Sequence, residues 1–245
     1  MTVAYERRLE LAGSFNFRDL GGYETADGRI VRWRRLFRSD ALHRLTPEDI
    51  QQLDEIGLTA VFDLRSSYEL ERDGLGSLFD GGVLHRHVPF HSNPAPRQPA
   101  ELQIDLFTLY ERMLEEAQPC VNAVFSALAE DETYPAVFHC AAGKDRTGII
   151  SGLVLSVLGV PDEDIITDYA LTDGFMADRL AALRESAELD ESYRNINPSW
   201  LRAEPATMAQ TLTLIQAEHG SIVGFLLASG VTHVQLEAVR DHLLE

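Results

Sequence analysis

Only two cysteines, Cys120 and Cys140, occur in the 245 residues. They are too few for a disulfide framework, and neither sits in a CxxC pair or in Cys/His zinc spacing, so their value rests on thiol chemistry. Basic charge is also scarce: 21 Lys and Arg against 39 Asp and Glu leave a formal net charge of -18. The average field of such a chain repels polyanions, which argues against nucleic acid or an acidic membrane surface as a general partner. Long apolar runs are missing too. The longest, Gly148 to Val160, falls well short of the roughly 20 residues of a membrane-spanning helix and reads as a buried core helix. The first ten residues mix Glu6, Arg7, Arg8 and Glu10 with few apolar ones, unlike a secretory signal, so the cytoplasm is the expected compartment. There is no internal repeat and no low-complexity tract.

What is present suffices for a sizeable core: 45% of residues are hydrophobic and 24% charged, consistent with a single domain over residues 1–245. Asp27-Gly28 is a turn signal, predicting a short hairpin near residues 22 to 37. Thr46 as N-cap, Pro47 at the first helical position, acids at 48 and 49 and a closing Gly57 predict a helix from about 47 to 55. Leu58 to Leu64, Val83 to Val88 and Ala136 to Phe138 read as strands, and Ile104 to Glu116 and Val121 to Glu130 as helices. Asn93 to Pro99 reads as loop. Beyond Gly159 the pattern becomes helical: about 162–171, 174–188, 206–218 and two more helices before the end. Strands alternating with helices predict an α/β fold, a central, mostly parallel sheet flanked by helices, with a helical C-terminal part.

Phe138 to Gly148 reads FHCAAGKDRTG, a strand running into a tight loop and then a helix expected to begin near Thr147. A loop in that position turns several backbone N–H groups inward and, with the helix dipole, makes an anion cradle from Ala141, Ala142, Gly143, Lys144, Asp145 and Arg146. Gly143 lets the backbone turn closely. Cys140 opens the cradle, where amides, Lys144 and Arg146 favour its thiolate. Arg146, six residues on, is placed to return over the cradle and hold two phosphate oxygens at once. Thr147 either caps the helix or donates its hydroxyl to the sulfur; the second role is the expected one. A Walker-type loop is excluded, because Phe138 stands where its first glycine belongs and Asp145 where Ser or Thr is required.

This loop resembles the HCxxGxxR(S/T)G signature of protein tyrosine phosphatases, matching at His139, Cys140, Gly143, Arg146, Thr147 and Gly148. The Lys144-Asp145 pair, Asn16 to Gly22, Leu36 to Ser39, and Asp63-Leu64-Arg65 ahead of Glu69 look like one bacterial branch, the atypical phosphatases secreted by some pathogens. Looser likeness extends through Asp164 to Leu171 and Gly220 to Gly230. The resemblance implies hydrolysis of phosphate monoesters, protein phosphotyrosine first, through a phosphocysteine on Cys140 and with no metal or cofactor. The implied partner is a phosphorylated protein or peptide. A phosphoinositide or dual-specificity activity on the same loop is the alternative, followed by a phosphate-binding module without turnover and a sulfur-transfer enzyme.

Phosphoester cleavage also needs a proton for the leaving oxygen. Asp145 is the candidate, since a carboxylate beside a bound phosphate is repelled by it and so favours its protonated form. The competing expectation is that Asp145 anchors the loop on an arginine such as Arg18, Arg38 or Arg65. His91-Ser92-Asn93 offers no carboxylate for a separate acid loop, and the next is Glu101. Lys144 is expected to meet a second phosphate or an inositol ring. His139 should hydrogen-bond the loop backbone, Asp63 and Arg65 should brace the sheet, Asp19 and Arg38 either line the pocket or form ion pairs, and Cys120 should be inert. His85, His87 and His91 lack the partners of a metal site. Residues 162–228 are expected to fold over the pocket as a lid.

Overall fold

Five short strands frame the fold in the computed structural model, which describes residues 6–90, 103–185 and 197–245. They are β1 (Arg18–Asp19), β2 (Leu36–Ser39), β3 (Ala60–Asp63), β4 (Leu84–His87) and β5 (Ala136–His139), in the order β1-β2-β5-β3-β4. The β1–β2 pair is antiparallel and the other three pairings are parallel. The mostly parallel sheet expected from the alternation of strands and helices is therefore present. Its helices are α1 (Pro47–Ile56), α2 (Ser67–Asp73), α3 (Leu106–Glu116), α4 (Gln118–Leu128), α5 (Asp145–Leu158), α6 (Asp162–Glu185), α7 (Pro205–His219), α8 (Ile222–Ala228) and α9 (His233–Leu243). No single helix among the described residues is long and apolar enough to cross a membrane.

Side chains alternate across the strands and so divide the core in two. Leu36, Ala60, Phe62, Ala136 and Phe138 pack against the helices from α3 onward, including Val121, Phe125, Leu153, Leu212, Phe225 and Val239. Phe37, Val61 and Val137 face the other way, against Leu53 of α1, Leu58 and Leu78. Each such buried side chain contributes about 1.5–3 kcal/mol of transfer free energy. The uncovered edge, β4, carries His85, Arg86 and His87 and stays partly exposed, the polar edge that discourages strand addition.

Local chemistry explains the helix ends. Thr46 and Asp49 form a capping box, Pro47 opens α1 and Gly57 closes it at φ 74°, as the sequence predicts. A second capping box, Ser66 with Glu69, starts α2, a helix the sequence reading missed although Ser-x-x-Glu is its signature. Two expectations are corrected. The hairpin near 22–37 is a tight turn with a single bridge, Glu24 to Ile30, and Leu36–Ser39 instead enters the sheet beside β5, because all four of its residues are buried there. The two helices expected at 162–171 and 174–188 are one, α6, running through Gly174, where a glycine costs only about 1 kcal/mol.

The lid expectation also changes. Ile165 and Tyr169 of α6, and Met208, Leu212, Ile215 and Phe225 of α7 and α8, belong to the main core. Those stretches of 162–228 are therefore packed into the core; residues 186–196 lie outside the described residues.

Candidate active site

β5 is the middle strand of the sheet and α5 begins at Asp145, two residues earlier than the sequence suggests. The loop between them emerges at the carboxyl ends of the parallel strands, where α/β folds place their ligands. Its geometry is fixed from outside. The Ala141 carbonyl accepts from the Ala41 amide (3.3 Å). Asn16 Nδ2 donates to the carbonyls of Ala142 (3.2 Å) and Gly143 (3.0 Å), and Arg38 Nη2 to Gly143 (2.9 Å). The sole cis peptide among the described residues is Tyr134-Pro135, so these peptides are trans and each N–H points opposite to its C=O. Three outward carbonyls thus turn the amides of Ala142, Gly143 and Lys144 inward. Gly143 adopts φ 65°, and a Cβ there would lie 2.5 Å from the Ser39 carbonyl oxygen, so only glycine lets the loop close against β2.

Cys140 lies at the mouth of this loop with 1% of its surface exposed. Arg146, at the other end, is gripped by Glu69 through Nη1 (2.5 Å) and Nη2 (2.8 Å). Burial works against the charge of Arg146, but Cys140 and Glu69 outweigh it and raise its pKa. Burial would likewise raise the Glu69 carboxyl, yet Arg146 and the Ser66 cap hold it down at about 2. One carboxylate therefore both starts α2 and aims the loop arginine. Thr147 Oγ1 is buried and finds no hydrogen-bond partner among the described residues.

Asp145 and Lys144 depart from expectation. Asp145 bonds none of Arg18, Arg38 or Arg65; its Oδ1 accepts from the Tyr110 hydroxyl (3.0 Å) and lies 3.3 Å from Lys144 Nζ. The three arginines are engaged elsewhere: Arg65 grips Asp63, while Arg18 and Arg38 both bind Asp168 of α6. Lys144 is buried and donates to the carbonyls of Trp200 and Arg202, so it ties the loop to the segment ahead of α7. Asp19 braces the backbone, accepting from the amides of Gly21 and Arg34. Ala141 and Ala142 contribute backbone alone to these bonds. The stretch from His91 to Asn93, and Glu101, lie outside the described residues.

His139 behaves as the sequence suggests, with Nδ1 against the Cys140 carbonyl (3.3 Å) and Nε2 3.6 Å from Asp63. Asp63 is held well below the usual carboxylate range despite its burial, by Arg65 and His139. Burial pushes the His139 imidazole from 6.5 down to about 4, against the pull of Asp63. Between those two values the unfolded chain binds more protons than the folded one. Stability is therefore full above pH 6.5 and falls as the pH drops toward 4. The expected loss is roughly 3 kcal/mol, and His139→Asn should remove this part of the pH dependence in urea melts. An unchanged slope in the variant would assign the acid lability to other groups. His85 meets Phe79 and Asp63, and His87 the Arg65 carbonyl. Cys120, whose thiol burial pushes up to about 12, donates to the Val88 carbonyl.

Asn16, Glu69, Tyr110 and Asp168 are the residues the sequence reading did not assign to the site. Asn16, Glu69 and Asp168 fall inside segments it singled out by resemblance; Tyr110 carried no signal.

Residues 9–245 match the sequence profile of the tyrosine phosphatase family. The chain belongs to that family and is a phosphatase. It is 29% identical to the triple specificity protein phosphatase PtpB of Mycobacterium tuberculosis, with 96% of this chain and 98% of that protein covered. A putative tyrosine-protein phosphatase of Cupriavidus necator is 30% identical over 94% of this chain and 85% of its own length. A tyrosine-protein phosphatase of Nostoc commune is 25% identical, with shares of 84% and 73%.

Proposed function

We propose that this phosphatase hydrolyses protein phosphotyrosine through a phosphocysteine intermediate on Cys140. The observation that supports the reading best is the loop itself: outward carbonyls, a buried cysteine at one end and an arginine aimed by Glu69 at the other. The phosphoryl group sits among the inward amides of Ala142, Gly143 and Lys144, with two of its oxygens on Arg146. The Cys140 sulfur attacks phosphorus, an S–P bond forms, and the P–O bond to the tyrosine breaks. Asp145 delivers a proton to the departing oxygen. Water then attacks phosphorus, giving its proton to the Asp145 carboxylate, and the sulfur leaves as thiolate. The unpartnered Thr147 hydroxyl is the donor that steadies that sulfur as it departs.

The engagement of Lys144 with two backbone carbonyls favours a single-phosphate protein substrate over a phosphoinositide. Steady-state phosphate release without added metal, from a phosphotyrosine peptide, a phosphoserine peptide and a soluble phosphoinositide, tests this. The phosphotyrosine peptide should give the highest kcat/KM. A higher value for the phosphoinositide would move the assignment to the lipid, and release from none of the three would leave the loop as a phosphate-binding module.

A further inference from the structure

Two buried tyrosines stand behind Asp145, and neither has a part in the chemistry above. Tyr110 of α3 and Tyr169 of α6 are almost fully buried, and their rings meet edge to face with centroids 6.3 Å apart. The Tyr110 hydroxyl has a single proton, which it donates to Asp145 Oδ1. In the 2.9 Å contact between the two phenols, Tyr169 is therefore the donor. The bonds run in one direction, Tyr169 to Tyr110 to Asp145, and each polarises the next.

Tyr110 donates to Asp145 Oδ1, and the Lys144 ammonium lies 3.3 Å from the same oxygen. A carboxyl group whose one oxygen accepts a hydrogen bond and faces an ammonium carries its own proton on the other. We infer that Tyr110, backed by Tyr169, is a positioning residue that fixes Oδ2 of Asp145 as the oxygen from which the leaving group is protonated. This rests on the reading of Asp145 as the acid.

The pair is well placed to hold that geometry. Burial raises both phenols above their ordinary range, together with the nearby charge of Asp145, so they remain donors wherever the enzyme works. Tyr169 lies directly on the first turn of α5: a Cβ at Gly148 would sit 2.9 Å from its ring, so the glycine that ends the loop motif is the space the ring occupies. Its neighbour Asp168 is clamped by Arg18 and Arg38. A hydroxyl mounted this rigidly confines the carboxyl rotation that would otherwise scatter the proton between two oxygens.

The test compares kcat/KM for two aryl phosphates, one with a poor phenol leaving group and one with an activated one, in wild type, Asp145→Asn, Tyr110→Phe, Tyr169→Phe and the Tyr110→Phe/Asp145→Asn double variant. Asp145→Asn should slow the poor leaving group by about a hundredfold and the activated one far less. Tyr110→Phe should slow the poor leaving group about tenfold, barely change the activated one, and add nothing in the Asp145→Asn background. Tyr169→Phe should act in the same direction and more weakly, and it decides the matter if Tyr110→Phe does not fold by thermal melting. Equal slowing of both substrates by the tyrosine variants, or a full tenfold loss added to Asp145→Asn, would make the pair a structural contact and overturn the inference while leaving Asp145 as the acid. Equal slowing of both substrates by Asp145→Asn itself would remove Asp145 as the acid, and the inference with it.

Discussion

Cys140→Ser protein is expected to lose phosphate release by at least roughly a thousandfold while still binding a phosphotyrosine peptide. A serine hydroxyl at that position is a far weaker nucleophile than a thiolate, and the preceding histidine, His139, points its two nitrogens at the Cys140 carbonyl and at Asp63. Binding does not depend on the sulfur in the same way. The inward amides are set by Asn16, Arg38 and Ala41 from behind the loop, and Arg146 by Glu69, none of which the substitution touches. Phosphate release and calorimetric titration of the peptide, on protein shown to be folded, measure both halves. Residual turnover within tenfold of wild type would rule out the phosphocysteine route, whatever happened to binding.

The largest expected effect on stability belongs to Asp168→Ala, at about 3–5 kcal/mol. Asp168 accepts from Arg18 Nε (3.1 Å), Arg38 Nη1 (2.6 Å) and the Tyr23 hydroxyl (3.1 Å), with all the charged groups buried. Burial alone would raise its carboxyl, but the two arginines hold it far below the usual range. Its removal leaves two guanidinium groups facing one another without a counter-charge. Burial and Arg38 already pull Arg18 down to about 10, and that strain grows when the carboxylate is lost. Urea unfolding at neutral pH measures the effect, and a change below about 1 kcal/mol would mean that water or rearrangement compensates the pair. A rise in KM should accompany the loss, because Arg38 also holds the Gly143 carbonyl.

The parts of this molecule that could be read in advance are those whose causes lie within a few residues. The cap, proline and closing glycine of α1, and the strand, turn and helix around Cys140, all follow from local backbone chemistry. The hairpin expectation failed for a related reason: Asp27-Gly28 does make the turn, with Gly28 at φ 82°, but nothing local shows that Leu36–Ser39 pairs with a strand a hundred residues later. The same holds for the site. Sequence placed Asp145 in the loop and offered an arginine anchor as the competing expectation by charge alone, whereas the hydroxyl that donates to it is a phenol from α3. Arg18 and Asp168, 150 positions apart, meet only once the sheet and α6 have packed. Resemblance to known phosphatases marked several of these segments without saying what each side chain holds.

The outward-facing carbonyls have a consequence for how an anion is recruited. On the proposed reading, a chain of net charge -18 takes its phosphate with three amides and one guanidinium, so recognition at contact is a short-range matter of fixed dipoles. Approach is governed differently. Within about 8 Å of the surface, the screening length at physiological salt, an incoming substrate feels the net negative charge of the chain. Phosphopeptides with basic residues around the phosphotyrosine are therefore expected to be turned over at a higher kcat/KM than acidic ones, with added salt narrowing the difference. Capture and selection would then be separated in space, the first in the backbone of one loop and the second in the charge of the whole surface.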